Sequence, residues 1–158
     1  MPVTPDTTSH TLSGTKLAIA DGLPATYTEV GYKALTWVEG VCALKEVPEM
    51  GREWDTVEDK TVCSRRSSSK KGMFKWKEPT FKLNLMKGDP AQVIYRTLED
   101  SDAVGSFKMA RPDGTIIYFS AQVAQFNLTD GGDGSSIDTA SVKLLPQGDI
   151  LYIDAPTV

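Results

Sequence analysis

Residues 78–126 constrain the fold more than any other part of the chain, because three kinds of local signal follow one another there in a fixed order. Over residues 80–86 apolar and polar side chains alternate, with Phe81, Leu83 and Leu85 on one face and Thr80, Lys82 and Asn84 on the other. That period of two belongs to a half-buried strand. Gly88-Asp89-Pro90 then ends the strand and starts a helix. Asp89 is placed as its N-cap, and Pro90 takes the first helical position, where a missing N–H costs nothing. Val93, Ile94 and Leu98 give the helix an apolar stripe. Two further strand-like runs, 104–110 and 115–126, are joined by Arg111-Pro112-Asp113-Gly114. Pro-Asp-Gly between alternating runs predicts a hairpin turn, since proline fixes φ and glycine accepts a positive one.

The rest of the chain reads as more strands separated by breakers. Residues 15–20 predict a short first strand, and 23–33 are irregular around Pro24 and Gly31. Residues 34–47 are strand-like, with Val38, Cys42 and Leu44 on one parity and Glu39 and Lys45 on the other. Trp37 and Val41 break that alternation, which predicts a bulge or burial on both faces. A glycine-rich loop is expected at 127–136 and another strand at 137–145. Pro146-Gln147-Gly148-Asp149 then predicts a turn into a short tail, 150–158, apolar from Ile150 to Ile153, of the kind that often marks docking. The fold class is therefore mainly β. Two antiparallel sheets form a sandwich or half-open barrel, flanked by one short α-helix at 89–100 that covers an open edge. The division is an N-terminal arm at 1–13, a β domain at 14–153 with a long loop at 49–77, and a tail at 154–158.

Chemistry is sparse. His10 is the sole histidine and lies in the polar, proline-interrupted arm, so no triad or histidine-based metal site can be assembled around it. Cys42 and Cys63 form no C-x-x-C pair; Cys42 reads as a small buried apolar residue, and no disulfide is expected. Asp130, Asp133 and Asp138 lack the spacing of a calcium loop. No phosphate-binding loop or nucleophile elbow occurs, so no catalytic, cofactor-binding or metal-ligating residue is assigned. The net charge of -4 argues against a dedicated nucleic-acid binder. No apolar run approaches the roughly 20 residues that cross a bilayer, and the N-terminus lacks the pattern of a secretory signal.

Residues 49–77 are the most informative irregular segment. They run acidic first, with Glu53, Asp55, Glu58 and Asp59 around Trp54 and Val57. They then turn basic and serine-rich through Arg65, Arg66, Lys70 and Lys71. An excursion of this length inside one domain is unusual and points to a functional or a mobile loop. Three readings stand: a solvated loop, a nucleic-acid contact, or a loop whose two charged halves pair with their counterparts on a neighbouring copy.

A strand ending in Met-x-Gly, a short helix, and a strand reading FKMARPDGT into a β-branched and aromatic run resemble the tail tube (major tail) proteins of bacteriophages with long, non-contractile tails. Residues 41–59, VCALKEVPEMGREWDTVED, look like that family as well, and the resemblance spans about residues 16–145. It implies a structural virion protein, made in the host bacterial cytoplasm and located in the tail. Subunits would form hexameric rings stacked into a hollow tube through which DNA leaves without specific binding. The tape measure and the tail terminator and tip proteins would be partners. The loop at 49–77 would order on assembly, with Trp54, Asp55, Glu58, Asp59, Arg65, Arg66, Lys70 and Lys71 as its inter-subunit residues. A ring barrel needs strands with one face to the core and one to the lumen. The polar faces of the long strands supply Glu39, Lys82, Asn84, Ser120, Gln122, Thr139, Ser141 and Lys143, with the two lysines expected to pair with carboxylates such as Glu39. The alternatives are a tube protein of the type VI secretion kind and a monomeric β-sandwich that binds ligands or surfaces through its loops.

Overall fold

The computed structural model describes residues 13–39, 44–86, 88–129, 134 and 137–155. In chain order the elements are β1 (Lys16–Ala20), α1 (Glu29–Lys33), β2 (Val38–Glu39), β3 (Leu44–Glu46), β4 (Arg52–Asp59), β5 (Ser68–Trp76), β6 (Thr80–Asn84), α2 (Pro90–Glu99), β7 (Gly105–Ala110), β8 (Ile116–Thr129), β9 (Thr139–Pro146) and β10 (Leu151–Ile153). The expected two antiparallel sheets are present and are unequal. Eight strands curve into one half-open sheet in the order β2-β1-β7-β8-β9-β6-β3, with β10 alongside β8. The other two, β4 and β5, form a sheet of their own.

The spine is β8, which extends three residues past the expected end of its run. Its first part pairs with β7, from Ala110↔Ile116 to Gly105↔Ala121, and its second with β9, from Ala121↔Pro146 to Thr129↔Thr139. A register shift between Val123 and Gln125 changes the parity of the strand. Ile117, Phe119, Ala121 and Val123 are buried before it and Phe126 after it, so one long strand keeps a single apolar face. Between β7 and β8 the predicted turn forms: Gly114 has φ of 91° and donates to the Arg111 carbonyl, and the Asp113 carboxylate accepts from the Thr115 N–H.

After β9 the chain differs from expectation. Residues 147–150 do not reverse direction. Pro146 lies opposite Ala121 and Leu151 opposite Tyr118, so four residues oppose two of β8 and the strand then resumes. The Gln147 N–H donates to the Ser120 carbonyl inside this wide bulge. Ile150 is buried in the core and Leu151 to Ile153 complete the sheet. The apolar tail docks onto its own domain.

Helix α2 starts as the sequence predicts, with Asp89 Oδ1 accepting from the Ala91 N–H at 3.1 Å. Its buried residues are Ala91, Gln92, Tyr95 and Leu98, whereas Val93 is 53% exposed. The stripe is set by positions 91, 95 and 98, at helical spacing, and Tyr95 is its centre. Its ring stacks on Phe107 at 6.1 Å and on Phe126 at 6.5 Å, and Phe107 in turn stacks on Phe119. Burying a side chain such as Leu98 contributes about 1.5–3 kcal/mol. The helix thus lies across the apolar face of the sheet rather than along an open edge. Gln92 ties it to the end of β6, donating to the Asn84 carbonyl at 2.8 Å and accepting from the Met86 N–H.

The opposite face is covered over its first half by the segment expected to be irregular. It contains α1, held by a Glu29–Lys33 ion pair. Gly31 does not break this helix. A Cβ there would meet the Thr26 carbonyl oxygen, so only glycine lets the preceding loop close against it. Tyr32 is buried and stacks on Tyr118 at 5.1 Å, Trp37 packs on the same ring, and Lys108 Nζ lies over Trp37. Cys42 and Val41 lie outside the described residues.

Candidate assembly surfaces

Strand parity places Ser106, Lys108, Tyr118 and Ser120 on the non-core face of the sheet, and α1 with Trp37 covers them. Beyond this cover the same face is open. Here the register aligns two cross-strand rows from β6, β9 and β8, Thr80–Lys143–Gln125 and Lys82–Ser141–Asn127, and the pair Asn84–Thr139 on β6 and β9. Both lysines are neutralised locally. Lys82 pairs with Glu46 at 3.1 Å, and Lys143 with Glu78 at 2.8 Å. The hydrogen bond from Lys143 holds the Glu78 carboxyl below the usual carboxylate range. Their partners are these two carboxylates and not Glu39. The result, among the described residues, is a polar floor with no aromatic ring and no surplus of charge.

The expected polar-face residues divide accordingly. Lys82, Asn84, Thr139, Ser141 and Lys143 lie together on the open floor. Gln125 and Asn127 join them, and periodicity misses these two because the β8 bulge hides their parity. Gln122 lies at the boundary, donating to the Asp102 carbonyl at 2.8 Å. Glu39 is on β2, at the far side of the covered half. Ser120 is not on an open face: it is 3% exposed, and its hydroxyl is 3.2 Å from that of Tyr32.

The second surface is the excursion at 49–77, which is a β-hairpin rather than a structureless loop. From Arg52↔Trp76 to Asp59↔Ser68 its strands pair, with a shift between Trp54 and Thr56. The acidic and basic halves pair with each other: Glu53 with Lys75 at 3.7 Å and Asp59 with Lys70 at 3.5 Å. Arg65 and Arg66 fall in the turn, near the exposed, free Cys63. Asp55 and Glu58 are exposed on β4. One face carries an alternation of rings and cations. Arg52 lies 5.2 Å over Phe74 and 5.0 Å over Trp76, Lys71 lies 5.3 Å over Trp54, and Trp54 packs on Phe74. Trp54 and Phe74 remain 42% exposed. An isolated two-stranded hairpin is marginal in water, and three strands or a packing partner are the usual remedy.

Several solved structures share this fold. The chain superposes on a protein of the anti-feeding prophage baseplate, solved with sixfold symmetry, with a TM-score of 0.68 and 9% identity over 94% of this chain and 97% of that one. It matches the SPP1 tail tube with a TM-score of 0.62 and 14% identity, covering 90% of this chain and 78% of the other. This is the tail-tube fold. A protein of the tail of an empty GTA particle, solved with C6 symmetry, matches with a TM-score of 0.61 and 9% identity over 92% and 99% of the two chains. No protein-family model and no curated protein sequence matches. The tail-tube likeness is therefore carried by three-dimensional structure, and the half-open sheet, its polar floor and the hairpin are the features it must account for.

Proposed function

We propose that this chain is a structural tube subunit. Copies join side by side into rings, the rings stack, and the open polar floor formed by β6, β9 and the second half of β8 lines a channel through which DNA passes. The observation that carries the reading is the chemistry of that floor. DNA is held by clustered Lys and Arg and by stacking on aromatic rings. This floor offers neither, because Lys82 and Lys143 are each matched by a carboxylate. A surface that is exposed, polar and neutral is suited to a conduit and poorly suited to a binding site.

Sixfold rings are supported by the symmetry of the anti-feeding prophage and GTA assemblies that share the fold. The hairpin, marginal alone and aromatic on one side, is the element that contacts a neighbouring subunit. Electron microscopy of the concentrated protein tests the proposal: rings or tubes of regular diameter are expected. A protein that stays monomeric at every concentration, with no assembly on addition of preformed tube seeds, overturns it in favour of a β-sandwich binding module.

A further inference from the structure

β1 and β7 run antiparallel, so Lys16 and Arg111 lie at one end of the sheet and Asp21 and Gly105 at the other, roughly 20 Å away at about 3.3 Å per residue. The two ends carry opposite charge. At the first, Arg111 sits in an open notch of about 420 Å³ between the base of the hairpin and the β7–β8 turn. Arg52, Lys77 and Arg111 line it over an apolar floor of Met109 and Ile117, and Glu49, hydrogen-bonded to Lys77 at 2.7 Å, is the one carboxylate in its wall. The Arg111 Nε is buried and has no hydrogen-bond partner. A buried guanidinium nitrogen without an acceptor is costly. At the second end, Glu99, Asp100 and Asp102 follow one another where α2 leaves the sheet, and Asp21 follows β1 at the same end. All four are exposed, and among the described residues none is in an ion pair. Glu99 and Asp100 also sit at the C-terminal end of a helix, where its dipole disfavours negative charge. Arg96, the basic residue of that last turn, is turned over the Phe126 ring instead.

We propose that these ends are the two halves of one head-to-tail contact between copies: the Glu99–Asp100–Asp102 carboxylates of one subunit seat in the Arg52–Lys77–Arg111 notch of the next. Two different, complementary patches at opposite ends of one chain make a heterologous contact, which repeats from copy to copy rather than closing a dimer, and it runs open where no rotation closes it into a ring. Each patch answers the other's charge, carboxylates for a notch with cations in excess and cations for unpaired carboxylates. The contact rests on the tube reading and deepens it, since it supplies the axial joint between rings. It also gives that joint polarity, because acid-to-acid and base-to-base stacking is repelled.

The test is charge reversal with cross-complementation, read by electron microscopy and sedimentation, with circular dichroism confirming that each variant is folded. Variant one, Glu99→Lys with Asp100→Lys and Asp102→Lys, has both ends basic. Variant two, Arg111→Glu with Arg52→Glu, has both ends acidic. Each alone is expected to yield no tubes at about 0.15 M salt, where charges are felt over only about 8 Å. An equal mixture is expected to regain them, because every joint then meets an opposite charge. Variants that stack as well as wild type, or a mixture that stays unassembled while both variants are folded, overturn this contact and leave the tube reading standing. A wild-type protein that forms no rings or tubes overturns both.

Discussion

The Tyr32 hydroxyl lies 3.2 Å from Ser120 Oγ, joining α1 to the middle of the sheet across 88 residues of chain. Both groups are buried, and the ring of Tyr32 rests on Tyr118. Tyr32→Phe leaves Ser120 without that partner and is expected to cost about 1 kcal/mol. Tyr32→Ala also removes the stacked ring and should cost about 3–5 kcal/mol. Denaturant titration of the two variants checks the order; equal midpoints would mean that α1 does not cover the sheet in solution.

Burial also sets a limit on alkaline stability. The phenols of Tyr32, Tyr95 and Tyr118 are all pushed up from their ordinary value, in each case chiefly by desolvation. A raised folded-state value means stability that is fully present below the unfolded value, near 10, and lost as pH rises through the folded ones. The denaturation midpoint is therefore expected to be level from about pH 7 to 9 and to fall above about pH 10, less steeply in Tyr95→Phe. A midpoint level to about pH 11 in wild type would show that these rings ionise freely.

Within α2 the structure ranks substitutions that look alike in sequence. Leu98→Ala should cost about 2–5 kcal/mol and Asp89→Ala about 1 kcal/mol through the lost cap. Val93→Ala, at an exposed site, should stay within about 0.5 kcal/mol. Thermal melting of the three decides whether the helix packs by Leu98 and Tyr95 or by the Val93 side.

The helix start and the Pro-Asp-Gly turn were legible because their signals are local: a cap, a fixed φ and a glycine act on their immediate neighbours. The β strands were legible where one face is buried. What the sequence hides depends on distant partners. Gly31 reads as a breaker until the Thr26 carbonyl is seen against it, and Gln125 and Asn127 join the polar floor only through a bulge that periodicity cannot place. The hairpin is hidden for another reason. It buries no face, so no apolar alternation marks it, yet its opposite charges and rings are arrayed about a centre: Glu53 with Lys75, Trp54 with Phe74, Asp59 with Lys70. That mirrored pattern was the available signal.

Because the hairpin is a sheet of its own, it can be removed cleanly. Arg52 and Trp76 are paired, so replacing residues 53–75 with Asn-Gly closes the strands by a two-residue turn of the favoured kind. The shortened protein is expected to melt close to wild type and to form no tubes. Normal tubes from it would show that the hairpin is dispensable to assembly.

The channel reading makes a prediction that separates the open half of the polar face from the covered half. Asn127 and Ser141 are cross-strand neighbours on the floor, on β8 and β9. Replacing both with arginine adds two adjacent cations that the carboxylates of Glu46 and Glu78, already engaged by lysines, do not neutralise. In every subunit of a ring this creates a basic band facing the lumen, and each new arginine–phosphate pairing adds a salt-dependent hold on the strand. Tubes should assemble, and virions built from them should release DNA slowly, with the delay shrinking as salt is raised. Ser120→Arg must behave differently, since that side chain is buried under Tyr32 and an unpaired charge there costs several kcal/mol. It should fail at folding rather than at ejection. Virions with normal tails and normal release from the Asn127/Ser141 double variant would place this floor on the outside of the tube, and a soluble, well-folded Ser120→Arg protein would show that the covered half opens.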